Sequence, residues 1–347
     1  MSLAARRAAG AILIVLAAMF LPPSGGNASS AATAGPRQPL QPWLDAAPAG
    51  AVLRLPPGIY AGPALLTKPL TLDGNGEATI DGGGVGSVFT IRTSGASVRG
   101  LRIVRSGESH DAVDSGIVVE GDGNRIEGNT VEDVLFGITL HRANGNRIVG
   151  NTIRSRPVDP ADRGDGLRLW YSMDNRIEQN DIAQIRDVTV SNSPRNHYIG
   201  NTIRDSRRAM NFLFSHDSLV EANRLDRNAT GLTLLNSDNI VIRGNHIAHA
   251  MGSSGAGIAL KESGAARIED NEILHCAVGL IADSPLDPHN LIRITGNRFS
   301  HNVTGISFYG ERGGHLVQAN RFTHNLWQAT VGGSDENDRN IWQGNYW

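Results

Sequence analysis

Asparagine returns along this chain at near-constant spacing: Asn129, Asn151, Asn180, Asn201, Asn223, Asn245, Asn271, Asn297, Asn320 and Asn345. The nine intervals average 24 residues, within the range of periods that marks a repeat architecture. One phrase recurs with the mark, as residues 164–225 show: GDGLRLWYSMDNRIEQNDI, RDVTVSNSPRNHYIGNTI and RRAMNFLFSHDSLVEANRL. A small or polar residue opens it, an alternating strand follows, and a polar turn leads to a strand closing on asparagine. Each interval holds about three short strands, such as 138–140, 167–169 and 258–260, parted by Ser, Asn, Asp and Gly.

The size of the unit selects the fold. A propeller blade needs roughly 40–50 residues, and a leucine-rich repeat carries a leucine ladder that is absent here. Three strands in one such interval fit a single coil of a right-handed parallel β-helix, an all-β solenoid. Coils stacked about 4.8 Å apart put each asparagine over the last, so that the amides bond along the stack. The asparagines are therefore expected to be structural.

Residues 1–34 read as a secretory signal. Arg6 and Arg7 precede an apolar run over residues 11–21, helix-breaking Pro22 and Pro23 follow, and Ala32-Thr33-Ala34 suits cleavage. The run is short for a membrane span, and no cysteine follows it as a lipoprotein anchor would require. The mature protein is expected to be exported, periplasmic or otherwise extracytoplasmic, with no further span. Residues 35–50 are expected to be a linker and N-terminal cap, with Leu40, Trp43 and Leu44 on one face of a short helix that covers the open end of the core. The β-helix domain then occupies residues 51–347, and residues 98–103, with Leu101 in the asparagine slot, count as its first regular coil. Cys276 is the sole cysteine; no disulfide framework exists, and a core of roughly 300 residues needs none. A formal net charge of -2 gives no electrostatic case for nucleic acid.

Two intervals are long. Residues 156–164 carry Pro157, Asp159, Pro160 and Asp162, and residues 252–257 are rich in Gly and Ser. Solenoid insertions fall on one face, often the binding face. The spacing of Asp159, Asp162 and Asp165 matches no calcium loop, so residues 156–164 are read as a polar loop.

Counting back from the asparagines aligns Thr139, Arg168, Thr189, Asn211 and Thr233 in one outward column. The next holds His141, Trp170, Ser191, Leu213 and Leu235, followed at the turn by Arg142, Tyr171, Asn192, Phe214 and Asn236. Trp170, Tyr171, Leu213, Phe214 and Leu235 thus form a candidate partner-docking patch. The alternative is that the strands kink and the rings turn inward or pack under residues 156–164. Four residues after the mark, successive coils present His249, His275, His301 and His324. These are either solvated turn residues or a metal strip, since imidazole suits copper and zinc; His246, Met251 and Cys276 lie near, and soft ligands favour Cu(I). Earlier coils carry Asp133, Ser155, Gln184, Asp205 and Arg227 at that position.

No catalytic set emerges. Inward positions are aliphatic, Met or Phe, and no serine-hydrolase elbow, zinc-protease or phosphate-loop motif is present. Glycoside hydrolysis needs two carboxylates ~5 Å or ~6.5–9.5 Å apart, and no outward pair stands out. A carbohydrate-active reading stays open as the alternative: a β-helix polysaccharide lyase, glycoside hydrolase or carbohydrate-binding protein using Trp170 with Asp165, Arg186, Asp187 or Arg208.

Certain segments carry more than the generic repeat. Residues 164–172 (GDGLRLWYS), Arg186-Asp187, residues 212–217 (FLFSHD), residues 53–60 (LRLPPGIY), residues 70–74 (LTLDG) and residues 340–347 (NIWQGNYW) resemble the NosD family. Its members are periplasmic copper-processing accessory proteins of nitrous oxide reductase maturation. The likeness covers nearly all of residues 40–347. It implies a binding and transfer role without catalysis, beside an ABC transporter membrane subunit, a copper chaperone and nitrous oxide reductase, with copper held transiently. It implies no metal site residue by residue. The chain departs from the family at residues 210–214 (MNFLF), where members usually carry Tyr-containing segments, and at Trp347, beyond which members usually continue. These departures leave room for a related copper or transporter-linked role.

Overall fold

Three short strands per turn of the chain set the period. One coil consists of Leu167–Trp170, Arg176–Glu178 and Asp181–Ala183, and the next coil repeats them in register at Asp187–Ser191, His197–Ile199 and Thr202–Arg204. In the computed structural model the described residues are 37–253, 255–283, 287, 289–310, 313–332 and 339–347. The expected signal, residues 1–34, lies outside them. All pairings run parallel in a right-handed solenoid of about 13 turns. One strand of each coil joins a 12-stranded sheet that runs from Ala64–Leu66 to Trp327–Gly332, and the remaining strands join a 24-stranded sheet.

Alternation inside each strand sends every second side chain inward. Ile148, Ile177, Tyr198, Val220, Ile242, Ile268 and Ile294 therefore stack in one buried column. The ten asparagines line up. Asn129 donates both its backbone N–H and its Nδ2 to Oδ1 of Asn151 at 3.0 Å, and the same pair of bonds recurs at each step down to Asn345. Leu101 occupies the slot above, donating its N–H to Asn129 Oδ1 at 3.1 Å. Stacking already includes the coils ahead of residues 98–103, within the expected domain 51–347. Val52–Arg54 already pairs with Thr71–Asp81, which pairs with Ser97–Val104; these first coils lack the asparagine that makes a coil visible in sequence.

A second ladder, unanticipated, runs five residues ahead of the first. Backbone N–H groups of Asn124, Asn146, Asn175 and Asn196 donate in turn to the side chains of Asn146, Asn175, Asn196 and Ser218. Buried backbone at a turn must find a partner, and these side chains supply it.

A short helix, Gln41–Ala46, precedes the coils. Leu40 and Leu44 are buried, and the Gln41 amide bonds both the N–H and the carbonyl of Leu65 at 2.9 and 3.1 Å. Residues 156–164 hold a single turn, Pro160–Asp162, capped by Asp159. Arg156 ties this loop to Glu108, Ser106 and Gly107 at 2.9, 3.0 and 2.8 Å. The second insertion is shorter than 252–257, because Ala256–Lys261 is a strand; residue 254 lies outside the described set.

Candidate functional site

The outward columns follow the sequence register. Arg168, Thr189, Asn211 and Thr233 pair in succession, as do His141, Trp170, Ser191, Leu213 and Leu235. The next residue in each coil closes the strand in the left-handed conformation: Arg142 (φ 51°), Tyr171 (48°), Asn192 (49°), Phe214 (50°) and Asn236 (48°). Tyr171 N–H donates to Ser191 O at 3.1 Å and Phe214 N–H to Leu235 O at 3.0 Å, so the backbone of the coil below holds each turn.

The rings do not turn inward. Tyr171 is 46% and Phe214 52% exposed, while Trp170, Leu213 and Leu235 are half-buried. Trp170 meets Tyr171 edge-on at 5.4 Å, and the Arg168 guanidinium lies 5.5 Å from the Trp170 ring centroid. The patch is divided. Ser191 and Asn192 occupy the intervening coil, so Trp170 and Tyr171 stand two coils, roughly 10 Å, from Leu213 and Phe214, with Leu235 one coil further. Left-handed backbone costs a non-glycine residue roughly 1–2 kcal/mol and is least costly for Asn or Asp. Tyr171 and Phe214 are held there with about half of each side chain left exposed.

Beside Trp170 a cavity of about 410 Å³ runs over the earlier coils, lined by Thr90, Arg92, Glu120, His141 and Arg168 among others. Asp165 and Asp187, the carboxylates nearest Trp170 that carbohydrate chemistry would call on, do not open onto a cleft as an acid–base pair. Asp165 is buried and takes a 3.0 Å bond from Arg186 Nε; burial pushes its pKa up, against the pull of Arg186. Asp187 is buried too, bonded by both nitrogens of the Arg207 fork and by Arg208 at 3.3 Å. Both are locked into arginine pairs at the corner where the strands begin.

The four histidines form a column. His249, His275, His301 and His324 all take left-handed turn positions (φ 58°, 52°, 58° and 57°) and all are exposed. Asp133, Gln184, Asp205 and Arg227 share that conformation, but Ser155 does not: its strand pairs with Val131 and Val134 across a register shift. Successive imidazole centroids are 5.2, 5.0 and 4.7 Å apart. Nδ1 of His249 lies 2.8 Å from Asp226 Oδ1, and Nδ1 of His301 lies 2.8 Å from Ser300 Oγ. Desolvation, then the charges of His324 and His275, lower the pKa of His301, which favours the neutral ring that binds metals.

Cys276 is absent from this surface. It follows His275 but points inward, with its thiol donating to Leu274 O at 3.2 Å; burial pushes its pKa up to about 11. His246 instead pairs with Glu272 at 2.8 Å, and Met251 is exposed. Among the described residues, no group of three or more His, Cys, Asp or Glu side chains converges on a metal cage.

A family model described as NosD, periplasmic copper-binding protein, matches residues 151–347, and a model of the right-handed β-helix region matches residues 86–196. The probable ABC transporter binding protein NosD of Pseudomonas aeruginosa is 31% identical over 133 residues, 38% of this chain and 31% of that protein. The match therefore spans about a third of the relative's length. Among solved structures, the A-module of mannuronan C-5 epimerase AlgE6 from Azotobacter vinelandii superposes with a TM-score of 0.59 at 16% identity, covering 88% of this chain and 93% of that one. The DFA-IIIase of Arthrobacter chlorophenolicus A6 without its lid gives 0.57 at 16% identity, over 84% and 88%. At such identity the likeness is one of fold alone.

Proposed function

The chain belongs to the NosD family of periplasmic copper-binding proteins, and we propose from that premise that it is a docking scaffold for copper-site assembly rather than an enzyme. In this reading it works outside the cytoplasm, engages an ABC transporter membrane subunit and a copper chaperone, and helps supply copper to nitrous oxide reductase. The name of the Pseudomonas relative supports the transporter link. Among the described residues no helix is long and apolar enough to cross a membrane, so contact with a transporter falls to the solenoid surface.

The observation that carries the reading is the pair Tyr171 and Phe214. Both are exposed aromatics in a backbone conformation that disfavours them. Aromatic anchors of this kind dominate the energetics of protein interfaces, and Trp170, Leu213 and Leu235 extend the contact. Arg168 over Trp170 suits a partner surface that brings its own acidic or apolar groups.

Changing Tyr171 and Phe214 together to asparagine separates docking from folding. Stability in urea should hold or rise, by about 1 kcal/mol per site as the left-handed cost is relieved. Affinity for the transporter membrane subunit should fall at least tenfold, read by co-purification and by titration of the purified partners. Association as tight as wild type would reject the patch.

A further inference from the structure

The cavity of about 410 Å³ beside Trp170 is large enough for a small-molecule ligand. Its floor is two outward columns of the 12-stranded sheet, four coils or about 14 Å long. Thr139 and Arg168 stand in the first column, and Arg92, Glu120, His141 and Trp170 in the second. Val113 closes the side where the strands begin. It does so at φ 55°, where a β-branched residue is an outlier that persists only when its surroundings impose it. Ser115 secures the turn, its hydroxyl donating to Val113 O at 2.7 Å. With its one proton spent, that hydroxyl accepts from Thr139 Oγ1, 2.8 Å away. The Thr139 oxygen is thereby left to the cavity as an acceptor.

We propose that this groove binds an acidic saccharide, a short run of hexuronic acid units. The inference goes beyond the docking reading and stands apart from it. Charge selects the acid. Arg92 and Glu120 neutralise each other at 2.5 Å. Asp165 already takes a bond from Arg186, and its other oxygen stays 3.7 Å from Arg168 Nη1, beyond hydrogen-bond distance. The Arg168 fork, held over Trp170, therefore keeps donors for a ligand carboxylate. Hydroxyls select the sugar. Thr139 and Glu120 accept, Arg92 donates and His141 does either, a mixed set that matches groups able to donate and accept at once. Trp170 supplies an apolar wall for the ring carbons. An acidic peptide fits less well. The backbone of the floor is consumed by the ladder between coils, so a peptide laid along it would find no main-chain partners for its own N–H and C=O groups. Glu120 is the one carboxylate among the lining residues, short of the pair that glycoside hydrolysis needs, so the ligand is held and not hydrolysed.

Calorimetry on the full chain separates the cases. Trisaccharides of galacturonic, glucuronic and mannuronic acid are titrated into the protein, with maltotriose and a triglutamate peptide alongside. At least one uronate trisaccharide should bind, about tenfold or more tighter than either comparison ligand, and be recovered unchanged. Arg168→Gln should remove that margin. His141→Ala, at an exposed position, should weaken the same ligand several-fold while circular dichroism and melting match wild type. Trp170 borders the docking patch as well, so it is left unchanged, and Phe214→Asn, outside the cavity lining, should bind the saccharide as wild type does. No binding of any uronate, binding of triglutamate as tight as theirs, or a margin that survives Arg168→Gln would each overturn the proposal. None of these results bears on the Tyr171 and Phe214 association experiment, which judges the docking reading on its own.

Discussion

Asn201→Ala should lower the free energy of unfolding by about 3–5 kcal/mol, a loss seldom reached by a single polar truncation. Asn201 is buried midway along the ladder. Its Oδ1 accepts from the N–H and Nδ2 of Asn180 at 3.0 and 2.9 Å, and its Nδ2 donates to Ile177 O and Asn223 Oδ1 at 2.8 and 3.0 Å. Alanine leaves the buried Asn180 N–H without a partner, at roughly 1–3 kcal/mol, and removes the other amide bonds at about 1 kcal/mol each, while the Ile177 carbonyl keeps its ladder bond from the facing strand. It also breaks a chain in which each amide orients the next. Asn345→Ala is the control. It has the same partners on one side only, Asn320 and Val317, and these bonds are partly exposed, so water replaces them and the cost should be about 1 kcal/mol or less. Urea unfolding of both variants decides the matter, and equal losses would mean that the ladder contributes only as separate bonds. Leu101 fits the same logic: the strand above it pairs through a register shift between Asp73 and Ala78, and it serves the ladder with its N–H alone.

The asparagine mark made the register legible, and with it both surface columns, because a parallel stack turns one position in the phrase into one line on the solid. Even the interruption of the aromatic patch at Ser191 and Asn192 is written in the repeat. What stayed hidden depends on positions whose identity varies. The second ladder holds asparagine only at Asn124, Asn146, Asn175 and Asn196, passes to Ser218, lapses at Ile240, Ala266 and Ile292, and resumes at His315 and Asn340, so no letter marks it along the whole stack. Cys276 looked adjacent to the histidines, but it stands in an inward turn column with Asn302, whose Oδ1 accepts the Cys276 N–H at 2.8 Å. Sequence orders residues along the chain and not around it. The tilt between the His275 and His301 rings is a matter of side-chain torsion, which a repeat pattern does not encode.

His315 supplies the second large effect, and it is conditional on pH. The residue is 2% exposed, its Nδ1 accepts from Ile292 N–H at 3.2 Å, and its own N–H donates to Asn340 Oδ1 at 3.0 Å. A ring that must accept at Nδ1 while stacked 5.3 Å from Phe308 is held neutral, and burial lowers its pKa from 6.5 to about 4. Above pH 6.5 the folded and unfolded chains are both unprotonated at this site and stability is insensitive to it. Between pH 6.5 and 4 the unfolded chain binds a proton that the native chain refuses, so stability falls as pH falls. Below about pH 4 both bind it, and the loss levels off at roughly 3 kcal/mol. His315→Asn restores the amide that Asn124, Asn146 and Asn175 place in this column and removes the titrating ring. At pH 7.5 the variant should lie within about 1 kcal/mol of wild type. At pH 4.5 it should be the more stable of the two by roughly 2 kcal/mol, measured by urea unfolding at both pH values, and parallel pH profiles would remove His315 as the acid-labile element. Because solenoid coils lean only on their neighbours, the coils around Ile292, His315 and Asn340 should loosen first in acid. His301 and His324, which belong to those coils, should then lose their order before the Trp170 and Phe214 surface does.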